Sequence, residues 1–284
     1  MKKLILTLIA SLLLIACNNN KKTVNDPVTY DVEFDVDYNN CGTDPLVSVG
    51  GVDFGNESLV RAGRVASKNG YINISKIEAD IDLSALAQRS DFTGDWLNAA
   101  FYAVSSKVQP IKADYCDAEY GAVPFCQEID FLETNGQKMF QHTLHLATAK
   151  SGPQRWEVSY TEAANTDCWN WDEMVADTDP GIHSLVGKID PNKPFHMVVD
   201  FNSDYTNMII TLSQDSNSVK VFDMTEPAVE GSSTLDMSML KSAMAVGWWF
   251  TPSYHNSWSP GACECGQGGG WKLYNLKVTA ESKI

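Results

Sequence analysis

The segment "FCQEIDFLETNGQ", Phe125 to Gln137, reads as a β-strand that breaks its own period. Ile129, Phe131 and Leu132 are apolar, and three acids stand among them. Side chains of a strand alternate between its faces, so Glu128 and Asp130 share one face. Glu133 lies three residues beyond Asp130, which in a regular strand turns it to the opposite face. A β-bulge at Phe131-Leu132 repairs the phase, because it adds one residue to one strand and bends it. The spacing therefore predicts a bulge between Asp130 and Glu133, with all three carboxylates on one concave face.

The flanking sequence supplies strands for this one to pair with. "VTYDVEFDVDY" (Val28 to Tyr38) alternates throughout and predicts one half-buried antiparallel strand. Val28, Tyr30, Val32, Phe34, Val36 and Tyr38 form its apolar face; Thr29, Asp31, Glu33, Asp35 and Asp37 form the polar one. A second alternating run extends from Gly70 to Leu86. Trp96 to Ser106 reads as a strand despite its alanines, and Lys138 to Thr148 alternates around His142 and His145. Phe195 to Met224 holds three short strands divided by polar turns, and Met244–Pro252 and Trp271–Ala280 supply the last two. Only Leu235 to Ala243 reads as helix, with Thr234 as its cap. Many short strands with almost no helix predict an all-β fold, an antiparallel β-sandwich or jelly roll.

The first 17 residues stand outside that fold. Lys2 and Lys3 precede an apolar run from Leu4 to Ile15, too short to span a membrane and suited to an export signal. The run ends in Leu14-Ile15-Ala16-Cys17, which resembles a bacterial lipobox and marks Cys17 for lipidation. Residues 18–27 are polar and unpatterned, a flexible tether, and 28–284 reads as a single domain without an internal linker. The expected location is that of an exported bacterial lipoprotein, in the outer membrane or on the cell surface. Asn18 after Cys17 resembles the corresponding sorting signal.

The six remaining cysteines, Cys41, Cys116, Cys126, Cys168, Cys263 and Cys265, are an even number in an exported chain and suggest up to three disulfides. Cys116 and Cys126 flank a Gly/Pro-bearing loop and are a candidate local pair. A zinc site is the weaker alternative for these cysteines, since Cys263-Glu-Cys265 lacks the two-residue gap of a zinc knuckle; the expectation is no catalytic metal and no cofactor. Removing Lys2 and Lys3 with the signal takes the formal charge from −15 to −17. That surface repels phosphate backbones and argues against nucleic acid as a partner. Eight tryptophans offer flat faces suited to the apolar side of sugar rings, although packing accounts for most tryptophans in a sandwich.

Two carboxyl groups flanking one bond are what glycoside hydrolysis requires, about 5–5.5 Å apart in the retaining mechanism. Glu128-x-Asp130-x-x-Glu133 resembles the active-site strand of glucanases with a concanavalin A-like jelly roll, glycoside hydrolase families 7 and 16. Several further segments resemble family 7 in family order. They are Asp80–Leu86, Leu97–Ser105, Tyr115–Tyr120, Cys126–Asn135, Gln141–His145, Gly187–Phe201 and "YNLKV" from Tyr274. The resemblance covers roughly residues 70 to 280. It implies a retaining endo-acting β-glucan hydrolase, monomeric, with a polysaccharide substrate. It assigns Glu128 as nucleophile, Asp130 as supporting acid, Glu133 as acid/base and His145 as their neighbour on the next strand. It also implies substrate-binding roles for Trp249, Trp258, Asn98 and Gln141. Leu132 stands where the motif has Trp and Thr134 where it has Ala. The chain is too short for the loops that roof the family's tunnels, which implies an open cleft. His142, His183, His196 and His255 match no part of the pattern. The alternative reading is a carbohydrate-binding jelly roll that keeps the fold without the chemistry.

Overall fold

The computed structural model describes residues 26–39, 42–56, 58–87, 97–105, 127–134, 139–148, 152–161, 185, 187–225, 230–231, 237–256 and 269–284. The signal, Cys17, most of the tether, the six other cysteines, His183 and Trp258 lie outside the described residues. In chain order the strands are β1 (Val28–Asp31), β2 (Phe34–Asn39), β3 (Leu46–Ser48), β4 (Gly51–Asp53), β5 (Gly55–Asn56), β6 (Leu59–Val60), β7 (Gly63–Ser67) and β8 (Tyr71–Asp82). They continue with β9 (Leu97–Val104), β10 (Glu128–Thr134), β11 (Met139–Thr148), β12 (Gly152–Thr161), β13 (Phe195–Phe201), β14 (Met208–Gln214) and β15 (Asn217–Asp223). The last are β16 (Glu230–Gly231), β17 (Trp249–Phe250), β18 (Ser253–Asn256) and β19 (Lys272–Lys283). Two helices, α1 (Ser84–Ala87) and α2 (Met237–Val246), complete the described elements.

The strands build two large antiparallel sheets that stack as a sandwich, the all-β architecture expected from the sequence. One runs β15-β14-β13-β8-β19-β4-β3, with β1 also on β19. The other runs β16-β12-β11-β10-β9-β18-β7-β2, with β17 also on β9, so the acidic strand β10 is central in it. Aromatic contacts cross between the sheets. Phe140 of β11 meets Phe195 of β13 at 6.2 Å, and Tyr71 of β8 meets Phe250 of β17 at 5.7 Å. Phe101, Phe131 and Phe250 pack together under β9 and β10, with centroids 5.2–6.1 Å apart. Each is at most 1 % exposed. Full burial of such side chains is the main term holding the sheets together, at about 1.5–3 kcal/mol each.

Three expectations about element bounds are corrected. The alternating run Val28 to Tyr38 is two strands in two sheets, β1 on β19 and β2 on β7. At the crossing, Val32 is buried, and its backbone bonds Leu276 and Gly50 instead of a continuing ladder. Its alternation holds through Val36, since one inward face serves both sheets. A bulge between Val36 and Tyr38 then breaks it and buries the Asp37 side chain expected on the polar face. The run from Gly70 stops at Asp82, where the Asp82 carboxylate accepts from the Ser84 amide at 3.0 Å and starts α1. The later helix runs on to Val246, three residues past the expected end, because Leu240, Ala243 and Met244 bury one face of it. The Ala-rich run is a strand, β9, paired on one edge with β10 and on the other with β17 and β18.

Candidate active site

The bulge is where the acid spacing requires it. Against β11, Glu128 pairs with His145, Asp130 with Thr143 and Glu133 with Gln141, and the register shifts between Asp130 and Glu133. Against β9, Asp130 pairs with Tyr102, Leu132 with Phe101 and Glu133 with Ala100. Phe131 is the extra residue. Directly paired residues share a face. All three acids therefore lie with Ala100, Tyr102 and Val104 on one side and with Gln141, Thr143 and His145 on the other side of β10. The opposite face belongs to the core, where the consecutive residues Phe131 and Leu132 both pack. Two neighbours pointing the same way is the signature of the bulge.

The acid face is sheltered. Glu128, Asp130 and Glu133 are 4 %, 6 % and 7 % exposed, where an unpaired carboxylate is costly. Partners are present. His145 Nε2 lies 3.0 Å from Asp130 Oδ2, and Asn98 Nδ2 donates to Glu133 Oε1 at 2.7 Å. Gln141 Nε2 donates to Thr143 Oγ1 at 3.0 Å beside them. The strands thus bring together Glu128, Asp130, Glu133, His145, Asn98 and Gln141. Asn98 Oδ1 and His145 Nδ1 are buried without a hydrogen-bond partner among the described residues.

Trp249 stands in the row of Glu128, through Val104, but its indole turns toward Gly70. A Cβ at Gly70 would fall 2.5–2.8 Å from three indole atoms, so only glycine admits the ring there. Trp258 lies outside the described residues. His142 sits on the core face of β11, apart from the acids, and its Nδ1 approaches the Phe131 carbonyl at 2.6 Å. His196 pairs with Asp80 in the other sheet. Among the described residues no group of three His, Cys, Asp or Glu side chains is placed to hold a metal.

A second cluster on the same face escaped the sequence reading. In the row that holds Glu133 and Ala100, the next residues are Ser253 of β18 and Arg64 of β7. The Arg64 guanidinium grips Asp37 through Nη2 at 2.5 Å and Nε at 2.7 Å, with both side chains nearly buried. It also stacks on Tyr38, 5.2 Å from the ring centre. A second bulge, between Val36 and Tyr38 on β2, brings Asp37 and Tyr38 to the same guanidinium. Gly63 makes this possible: its φ is 154°, and a Cβ there would lie 2.2 Å from the Tyr38 carbonyl oxygen. Burial works against the Arg64 charge, yet Tyr102 and Asp37 outweigh it and hold its pKa above the ordinary value. Burial raises that of Tyr102, with Glu128 adding to the rise and Arg64 and Thr251 opposing it. Tyr102 thus links the cation to the acid strand. Nothing in the alternation of β2 distinguishes Asp37 from the exposed acids beside it; only the bulge does.

No family model matches the chain, and no curated protein sequence matches it. Solved structures do. The chain is similar to an endoglucanase I complexed with cellobiose, with TM-score 0.51 and 13 % identity over 84 % of this chain and 77 % of that one. An endo-1,3-β-glucanase from Streptomyces sioyaensis has TM-score 0.47 and 12 % identity, covering 88 % of each chain. A Bacteroides ovatus mixed linkage glucan family 16 protein, in complex with a G4G4G3G product, has TM-score 0.44 and 13 % identity over 89 % and 94 %. At such identity the likeness to the endoglucanase speaks for architecture, and with the two stacked antiparallel sheets it makes the fold of this chain a concanavalin A-like jelly roll.

Proposed function

We propose that the chain is a retaining, endo-acting β-glucan hydrolase. The observation that carries this reading is the bulged β10, which presents three buried carboxylates on one face with His145 on Asp130. A sheet face built only for packing gains nothing from three sheltered acids, since each costs desolvation. The likeness in fold to an endoglucanase complexed with cellobiose agrees with a glycan substrate.

In this mechanism the Glu128 carboxylate attacks the anomeric carbon while Glu133 gives its proton to the departing glycosidic oxygen. The C–O bond to the leaving sugar breaks and a glycosyl ester of Glu128 forms. Glu133, now a carboxylate, takes a proton from water, whose oxygen attacks the same carbon and releases Glu128. Asp130, held by His145, orients Glu128, and Asn98 holds Glu133. The reading extends to Cys17 as a lipid anchor and residues 18–27 as the tether that holds the domain at the cell surface.

The test is a panel of β-1,4, β-1,3 and mixed-linkage glucans with the protein, scored for new reducing ends and for product anomer by NMR. Early release of oligosaccharides with retained configuration supports the reading. Inverted products, or cleavage by Glu128→Gln at the wild-type rate, refute it. Binding without any cleavage by the wild type shows a sugar-binding jelly roll instead.

A further inference from the structure

We propose that His142 is a positioning residue that holds the acid/base Glu133 by clamping the β10 bulge; this rests on the hydrolase reading above. A bulge opposes two residues to one and takes them out of the ladder. Neither Phe131 nor Leu132 has a pairing partner on β11. The residue of β11 between the partners of Asp130 and Glu133 is His142. Its ring is 0 % exposed and points to the core face, and its Nδ1 meets the Phe131 carbonyl at 2.6 Å. A carbonyl only accepts, so Nδ1 carries the proton and donates.

The bond satisfies a buried acceptor that the bulge takes from the ladder, and an unmet buried acceptor is expensive. It also joins the bulge to the strand that sets the register of Glu133. Two residues after Phe131, Glu133 returns to the acid face through its pairs with Gln141 and Ala100. A bulge free to shift would carry the Glu133 carboxyl with it. Misplacement by about 1 Å costs on the order of 100-fold in rate. His142 acts on Glu133 through the backbone of the bulge, from the core face of β11.

His142→Leu keeps an apolar side chain of moderate size and removes the donor, and His142→Asn keeps a donor near the position of Nδ1. With His142→Leu, glucan turnover should fall about 100-fold with KM little changed, and His142→Asn should recover most of the loss. A dinitrophenyl glycoside separates positioning from general damage, because its leaving group needs no proton from Glu133. Its first-turnover burst should stay at the wild-type rate and full amplitude in His142→Leu. Equal loss on both substrates, no loss on glucan, or no recovery by Asn overturns the proposal. If His142→Leu fails to fold, long-range ¹H–¹⁵N correlation of the wild-type ring decides: a protonated Nδ1 supports the clamp, and a bare Nδ1 overturns it. An active wild type with an unaffected His142→Leu sinks this proposal alone. An inactive wild type sinks the hydrolase reading and the positioning role together.

Discussion

Deleting Phe131 tests the phase argument at its root. In the present register Phe131 is the one residue of β10 without a partner on β9. Without it, Leu132 falls opposite Phe101 on one side and His142 on the other, and every other residue keeps its partner. The bulge vanishes while Glu128, Asp130 and Glu133 stay on one face. The cost is the phenyl ring, 1 % exposed and packed 5.2 Å from Phe101 and 6.1 Å from Phe250. Loss of a buried Phe costs about 3–5 kcal/mol. A regained ladder hydrogen bond returns about 1 kcal/mol, so the net loss is about 2–4 kcal/mol. Against a total of about 5–15 kcal/mol the deletion variant folds. Its Tm falls by roughly 5–15 °C, at about 2–4 °C per kcal/mol for a domain of this size. Deleting Ile129 instead throws Glu128 onto the core face, where a carboxylate without partners is untenable. Thermal denaturation by circular dichroism reads both variants, with glucan cleavage read in parallel. The first should fold, with kcat reduced about 100-fold by the straightened strand, and the second should not fold. Equal damage from the two deletions would refute the assignment of Phe131 as the inserted residue.

Further outcomes follow from the same geometry. Glu133→Gln should lower glucan turnover by about 10²–10⁴-fold, measured as reducing ends, and spare a dinitrophenyl glycoside's first turnover. Asp37→Ala strands the buried Arg64 guanidinium and should cost about 3–5 kcal/mol in urea unfolding. That loss should change little with salt, because the pair is shielded from counterions. Gly63→Ala should destabilise by more than about 1 kcal/mol, since the new Cβ meets the Tyr38 carbonyl at a φ foreign to alanine. The Asp223 carboxyl is lowered to about 2: burial pushes it up, but hydrogen bonds from Lys220 and Thr225 outweigh that. A depressed folded pKa gives stability above the unfolded value near 3.8 that is lost as pH falls toward 2. Asp223→Asn should lower stability at pH 7 and flatten the profile between pH 4 and pH 2, so that it meets the wild type at the acid end, read by denaturation at each pH.

The acid strand was legible because its spacing contradicts itself. Period two is a rigid property of strands, so three acids at intervals of two and three admit a shared face only through an insertion. That Leu97–Ser105 and Lys138–Thr148 are strands was legible too, but that both pair with β10 was not. The break at Val32 was not legible. One continuous alternation is equally compatible with one strand or with two that share an inward face, and alternation carries no information about which sheet takes the hydrogen bonds. Helix bounds slipped for a similar reason, because α2 extends as far as burial against neighbouring strands rewards it.

Local chemistry in the sequence determined the strand type, the all-β class and the shared face of Glu128, Asp130 and Glu133, because each depends on the period of a single chain segment. Tertiary structure alone decided the company those acids keep. Arg64 and Ser253 come into the row of Glu133 from strands distant in sequence, Asp37 is turned inward by its own bulge, and His142 meets the Phe131 carbonyl across a ladder gap. Such contacts arise where strands of separate origin fall into register, and register is set by the packing of the whole sandwich.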